Sequence, residues 1–300
     1  MSRLLVDPTS HRGATQSLLV VANANASGDD RLEPFVATLR RLGARFDLVK
    51  TRDLHELEAV WTQATADRLV LVGGDGTLHA AVNLPGPPRD IALLPAGRAN
   101  NVAHSLGIPL DIERAAALAI AGDVRPVDLI DARSPHAQLL VVESVSAGVL
   151  AQARAHFHGR NSAHTVRAVA AGVAALARYG PLPAAVIGDL GEQRLELAQI
   201  FVANLPFYAF GLCVAPHADP ADETLDLVGI EASTRHAVLA ALLAARRGRL
   251  LGLPGLHLWR AKQVAITTHG RSPVIGDSRS LGFGPVLLRP LPGALRLVRP

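Results

Sequence analysis

The chain has one cysteine, Cys213, in 300 residues. No disulfide can form within it, which fits a reducing compartment. Aromatic residues make up only 4%, so Leu, Val and Ala must fill any core. Lys50 and Lys262 are the only lysines among 30 basic residues. No apolar run is long enough to span a bilayer, since the most apolar helix candidate, 237–245, is stopped by Arg246 and Arg247. Residues 1–15 lack the apolar stretch of a signal peptide, and 1–16 read as a loose tail. Internal repeats and low-complexity tracts are missing too, apart from alanine-rich helices. What is present is a globular composition, 49% hydrophobic, long enough for one large or two ordinary domains. The net charge of +4 and pI near 9.9 favour an anionic partner without choosing among nucleotide, anionic lipid and nucleic acid. No nucleic-acid-binding module is recognisable, so the pI alone does not argue for nucleic acid.

The stretch 68–79, RLVLVGGDGTLH, organises the chain. Residues 69–72 read as a short buried parallel strand. Gly73, Gly74 and Gly76 then let the backbone turn sharply and expose its N–H groups. Thr77 is expected to cap a helix over 78–83. A strand, a glycine turn and a helix start make a phosphate cradle. There is no G-K-[ST] and no G-x-G-x-x-G, so this is neither a Walker A loop nor a dinucleotide fingerprint. Asp75 is the odd member. A carboxylate repels phosphate unless a cation bridges them or the carboxylate accepts a proton, and both point to phosphoryl transfer.

Around this stretch, strands and helices alternate. Strands are expected at 18–22, 46–49, 69–72 and 91–95, and helices at 32–42, 54–64 (capped by Asp53), 102–106 and 112–121. That alternation predicts a doubly wound parallel sheet, with ligands past the carboxyl ends of its strands. The polar turns 23–28, 73–77 and 96–101 all fall there, as does Thr51. Asn23, Gly97 and Asn100 are therefore nucleotide-site candidates with the glycine turn. Past residue 126 the pattern changes to strands at 127–132, 138–145, 184–188, 195–203 and 225–230, helices at 165–179 and 235–250, and strands at 264–268, 286–289 and 294–298. We read an α/β domain over 1–126 and a β-rich domain over 127–289, with the tail 290–300 able to return to the first.

The chain resembles the diacylglycerol kinase catalytic-domain family of lipid kinases, which includes sphingosine and ceramide kinases. The resemblance rests on Gly73-Gly74-Asp75-Gly76-Thr77, on residues 95–103 leading into Leu106-Gly107-Ile108-Pro109, and on Asp128, Gly148, Asn204, Pro216 and Leu225-Asp226-Leu227. The G-G-D-G-T element alone is shared with NAD kinases and, loosely, phosphofructokinases. The resemblance implies an ATP–magnesium site between the N-terminal α/β domain and a C-terminal β-sandwich domain, and a lipid hydroxyl as acceptor. By position, Thr51, Gly73, Gly74, Asp75, Gly76, Thr77, Leu78, His79 and Arg98 would line the nucleotide. Asp75 would hold the catalytic magnesium or assist deprotonation. Asp219 and Asp222, with the Thr224 carbonyl, match a magnesium site of bacterial members, built from the hard oxygen ligands this ion takes. Such an enzyme would be cytoplasmic and peripheral at the inner membrane face. The apolar stretch 237–245, flanked by Arg235, Arg246, Arg247 and Arg249, reads either as a basic surface for anionic membrane or as a core-facing helix with a solvated end.

The departures from the family matter. Members usually have Thr at Arg98, often Asp at Asn101, Gly at Glu223, and Asp-Gly-Glu where Asp277-Ser278-Arg279 stands. The acid missing at Arg279 is the one often assigned as proton acceptor, and Asp277 is our candidate to take over that role. Arg98 could meet a phosphate bidentately. Two other readings stay open. Arg98 and Arg279 suit a nucleotide- or lipid-binding protein without kinase activity, and the shared glycine turn suits a kinase of a soluble acceptor such as NAD. His156, His158 and His164 lack zinc-ligand spacing and read as a surface loop.

Overall fold

The computed structural model describes residues 16–24, 29–155, 172–189, 191–209 and 211–300. The turn residues 25–28, the three histidines near 160 and the first part of the helix expected at 165–179 lie outside the described residues. The first half alternates as the sequence predicts: β1 (Ser17–Asn23), α1 (Asp29–Arg41), β2 (Arg45–Thr51), α2 (Leu54–Gln63), β3 (Arg68–Gly73), α3 (Asp75–Ala81), β4 (Asp90–Pro95), α4 (Asn101–Ser105) and α5 (Ile112–Ala121). The strands pair in parallel in the order β2-β1-β3-β4. β3 is buried along its whole length, which explains its unbroken apolar run. Its one charge, Arg68, donates to the carbonyls of Ala119 and Gly122 at the C-terminal end of α5, where a cation meets the negative end of the helix dipole. Asp53 caps α2 by accepting from the Glu56 N–H at 2.9 Å.

The second half comprises β5 (Val124–Arg133), β6 (Gln138–Val141), β7 (Ser144–Gly148), α6 (Val149–Ala155), the helical residues 172–177 (α7), β8 (Leu182–Gly188), β9 (Gly191–Leu197), β10 (Gln199–Ala203), β11 (Phe207–Tyr208), β12 (Leu212–Cys213), β13 (Leu225–Ile230), α8 (Arg235–Arg246), β14 (Leu256–Ala261), β15 (Val264–Thr267), β16 (Val274–Gly276), β17 (Arg279–Gly282) and β18 (Val286–Val298). Two antiparallel sheets face each other. One is the six-stranded sheet β14-β13-β10-β7-β16-β17; the other runs β18-β15-β8-β9 and continues the first-half sheet, because β18 also pairs in parallel with β4. Apolar side chains from both faces, such as Ile130, Val186 and Val264 against Val145, Val202 and Leu227, form the sandwich core.

Four expectations need correction. Thr77 does not cap α3. The helix begins at Asp75 with Gly74 as its N-cap, and the Thr77 side chain folds back so that a Cβ on Gly73 would lie 2.2 Å from its Oγ1. The run 138–145 is two strands in different sheets, with the crossover at Val142 and Glu143. The run 195–203 is likewise broken, at Ala198, whose N–H leaves the ladder to donate to the Ile230 carbonyl at 2.7 Å. Conversely, 286–289 and 294–298 are one strand carrying an irregularity between Leu291 and Leu295, so the stretch with Pro290, Pro292 and Gly293 is a bulge and not an end.

Candidate active site

The parallel strands β1 to β4 end at a cleft of about 1100 Å³ whose opposite wall comes from the second half. Asn23 and Thr51 contribute from the tips of β1 and β2. Gly74, Asp75, Gly76, Thr77 and His79 contribute from the glycine turn and α3, and Gly97 and Arg98 from the turn after β4. Gly73, Leu78 and Asn100 do not line it. Gly73 completes the buried strand, and Leu78 is 1% exposed and faces the core. Asn100 shapes the second turn from outside, since it adopts φ +49° and its amide brackets Gly97, accepting from the Gly97 N–H at 2.9 Å and donating to the Gly97 carbonyl at 3.0 Å.

The two turns touch through their backbones. A Cβ on Gly74 would lie 2.7 Å from the Gly97 Cα, and one on Gly97 would lie 2.5 Å from the Gly74 Cα. Only glycine fits at either position, which explains why both turns carry one. Asp75 then reaches across the gap. Its Oδ2 accepts from the Asn101 N–H and its Oδ1 from the Val102 N–H, each at 3.1 Å. The first turn is thereby locked to the start of α4.

Behind Asp75, two residues singled out in the sequence, His79 and Asp277, meet a third that was not, Glu143. His79 Nε2 lies 2.8 Å from Glu143 Oε1 and 3.6 Å from Asp277 Oδ2, and all three side chains are less than a tenth exposed. Burial by itself would lower the His79 pKa. Asp277, the hydrogen bond and charge of Glu143, and Asp75 outweigh it and raise the imidazole to about 9. Burial raises the Glu143 carboxyl, and His79 pulls it partly back. Asp277 accepts from the N–H groups of Val142, Glu143 and Ser144. It thus supplies the acceptors that a continuous strand would have found in its ladder, and this is why 138–145 can break there. Asn101 ties the halves together, donating from Nδ2 to Glu143 Oε2 at 2.9 Å and accepting from the Gly211 N–H at 3.3 Å. An Asp at 101 would set a second carboxylate against Glu143, so Asn and Glu belong together. The ligand atoms of His79, Glu143 and Asp277 lie within 4.8 Å of one another, but a charged His79 is itself the cation of that cluster.

Several of the motif residues hold structure instead of lining the cleft. Asp128 accepts from the N–H groups of Glu223 and Gly293, and Asn204 donates to the carbonyls of Asp128 and Val142. Arg98 and Arg279 are exposed on the cleft wall. Asp219, Asp222 and Thr224 lie elsewhere, before β13. Asp222 Oδ1 accepts from both the Thr224 N–H and its hydroxyl. The Arg260 guanidinium ion-pairs with Asp222 Oδ2 and lies 3.3 Å from Asp226 Oδ1. The oxygen donors suit magnesium, but Arg260 holds the place of the counter-charge, so these residues do not fit a resident ion beside it. The parent melting temperature is expected to be indifferent to added magnesium or chelator, whereas Arg260→Ala should gain a magnesium-dependent rise. A parent that loses stability on chelation would show that the turn binds metal after all.

The sequence matches the diacylglycerol kinase catalytic domain over residues 17–132 and the YegS C-terminal NAD kinase beta sandwich-like domain over residues 143–299. The chain belongs to the diacylglycerol kinase and YegS-like family of lipid kinases. It is therefore an enzyme of a phosphotransferase family. It is 27% identical over 278 residues to a diacylglycerol kinase of Mycobacterium tuberculosis (strain CDC 1551 / Oshkosh), covering 88% of each chain. A protein of Shewanella frigidimarina (strain NCIMB 400) named as a YegS-like lipid kinase is 30% identical over 204 residues, 64% of each chain. A diacylglycerol kinase structure from Bacillus anthracis str. Sterne superposes with a TM-score of 0.70 at 18% identity, covering 95% of this chain and 97% of that one. An NAD kinase from Archaeoglobus fulgidus in complex with ATP gives 0.51 at 15% identity, covering 94% and 93%. At such identities these two likenesses concern the fold. Within the family fold, Glu143 is the site residue that sequence reasoning missed. The available signal was an acid inside the apolar run 139–147, where a buried carboxylate demands a partner.

Proposed function

We propose that the chain transfers the γ-phosphoryl group of ATP, supplied as its magnesium complex, to a hydroxyl of a membrane lipid. The observation that carries this reading is the contact of the two glycine turns at the strand ends. It leaves a side-chain-free cradle for phosphates with the Asp75 carboxylate at its edge. Thr51 and Asn23 mark the nucleotide side of the cleft and Arg98 the phosphate side. Catalysis on this reading is mainly positioning and charge neutralisation.

A lipid acceptor also needs a surface on which the protein can rest. Among the described residues no helix is long and apolar enough to cross a membrane. α8 buries Val238, Ala241 and Ala245 while Leu239 and Leu243 stay 45% and 47% exposed, with Arg235, Arg246 and Arg247 at its ends. That is the pattern of a helix lying in an interface. Its basic end is close to the site, because Arg246 Nη1 lies 3.9 Å from where a Cβ on Gly211 would stand, and Gly211 donates to Asn101. The test is labelled ATP with a total lipid extract in anionic vesicles, run beside NAD and with the product identified by mass. We expect a phosphorylated lipid. The rate should fall as salt rises, because exposed charges are screened over roughly 10 Å at 0.1 M, and Arg246→Glu with Arg247→Glu should lower it further. Labelled NAD would move the acceptor to the soluble class. ATP binding with no product would mark a nucleotide-binding relic.

A further inference from the structure

Asp75, Asp277, Arg279 and Glu143, all in the cleft lining, differ in what they can still accept. Asp75 has each oxygen on a backbone N–H of α4. Asp277 has three backbone N–H donors. The lone pairs of these two carboxylates are already engaged by the backbone they hold in place. Arg279 cannot take a proton at all. Glu143 is built differently. One oxygen accepts from the neutral Asn101 amide and the other faces His79, which uses two of about four lone-pair positions. No backbone N–H reaches its carboxylate among the described residues. It lines the cleft although its side chain is only 8% exposed.

We propose that Glu143 is the proton acceptor for phosphoryl transfer in this chain, with His79 and Asn101 as the residues that position it. The proposal rests on the kinase reading above. In the step, the acceptor's hydroxyl oxygen bonds to the γ-phosphorus while the bond from that phosphorus to the β,γ-bridging oxygen breaks. The hydroxyl proton passes to a Glu143 oxygen, ADP leaves with the bridging oxygen, and Glu143 later returns its proton to water. Burial keeps the carboxylate more basic than one in water, which a general base needs. The charged groups facing it are His79 from α3, Asp75 from the glycine turn and Asp277 from the β16–β17 turn, with Arg154 and Arg279 on the adjoining wall. The chain thus compensates for an arginine in the place of the family's acid by an acid on the neighbouring crossover, and Asn101 makes room for it.

The alternative is a purely structural pair that staples α3 to the β6–β7 crossover. Glu143→Gln separates the two, because Gln has the same shape and can still accept from Asn101. We expect kcat to fall by roughly 10²-fold or more, with ATP affinity within threefold of the parent and the acid limb of the pH–kcat profile abolished. A kcat within threefold of the parent overturns the proposal. If Glu143→Gln does not hold its fold, His79→Gln decides. Removing the imidazolium should raise the Glu143 pKa and move the acid limb to higher pH, and an unmoved limb overturns the proposal. A parent that phosphorylates nothing sinks the kinase reading itself. A parent that is active, with Glu143→Gln equally active, sinks this inference alone.

Discussion

Asp75→Asn is expected to lower turnover by roughly 10²- to 10⁴-fold, the range over which a charged group at the reacting phosphate commonly acts, while the protein stays folded. The expectation follows from what the carboxylate does at each level. Structurally, its two oxygens take the N–H groups of Asn101 and Val102. Asn keeps one acceptor oxygen, so the loss resembles that of one helix cap, about 1 kcal/mol. Chemically, the substitution removes a full negative charge from the edge of the phosphate cradle, where no neighbouring acid can stand in. Asp277 is committed to the crossover, and Glu143 is paired with Asn101 and His79 on the opposite wall of the cleft. The measurement is turnover on the lipid identified above, with ATP binding measured by calorimetry and folding by thermal melt on the same preparation. Near-normal turnover would remove the glycine turn from the catalytic account. Lost turnover together with a collapsed melt would reveal a structural residue only.

How far the site was legible depended on the range of the contacts that build it. The cradle was readable because it is local. A buried strand, three glycines and an acid within a dozen residues declare a tight phosphate turn, and the alternation around them declares the parallel sheet. The cap on α2 was readable for the same reason, since Asp53 and Glu56 are three residues apart. The crossover at Val142 and Glu143 was not readable. Nothing in the run 138–145 marks an end, because the group that ends it, the Asp277 carboxylate, comes from 133 to 135 residues away. Glu143 itself looks like a misplaced acid until His79, 64 positions earlier by numbering, is brought against it. Thr77 misled because a threonine before an apolar helix usually caps it; here the phosphate turn requires the helix to begin three residues sooner, and the hydroxyl packs on Gly73. Two family glycines that are missing in this chain leave their trace as strain. Glu223 and Ser278 adopt φ +59° and +77°, the left-handed region that a glycine would occupy at lower cost.

Asp277→Ala is expected to be the most destabilising single change near the site, by about 3–5 kcal/mol, the loss typical of breaking a buried charged network from one side. Three backbone N–H groups at the crossover lose their acceptor, and each unsatisfied donor alone costs about 1–3 kcal/mol. The buried His79 imidazolium also loses a neighbour that helps hold its charge. Asp277→Asn should cost much less, because it keeps an acceptor oxygen, but it should change the response to pH. In the parent, the His79 pKa is raised from 6.5 to about 9. The stability this contributes is complete below the unfolded value near 6.5 and is lost as pH rises through 9. With the Asp277 charge gone, the folded pKa falls, so less of that stability exists and its loss is complete at a lower pH. Urea melts of parent, Asp277→Asn and Asp277→Ala at pH 6, 7.5 and 9 read both effects. A midpoint for Asp277→Ala equal to the parent's would mean that the carboxylate does not hold the crossover. Turnover on the same three proteins then tells a positioning residue from a base. If Asp277→Asn keeps its melt and its ATP affinity but loses turnover while Glu143→Gln does not, the proton goes to Asp277, as the sequence first suggested. If Asp277→Asn retains most of its turnover and only its pH response moves, the carboxylate serves the fold, and Glu143 stands free to serve the chemistry.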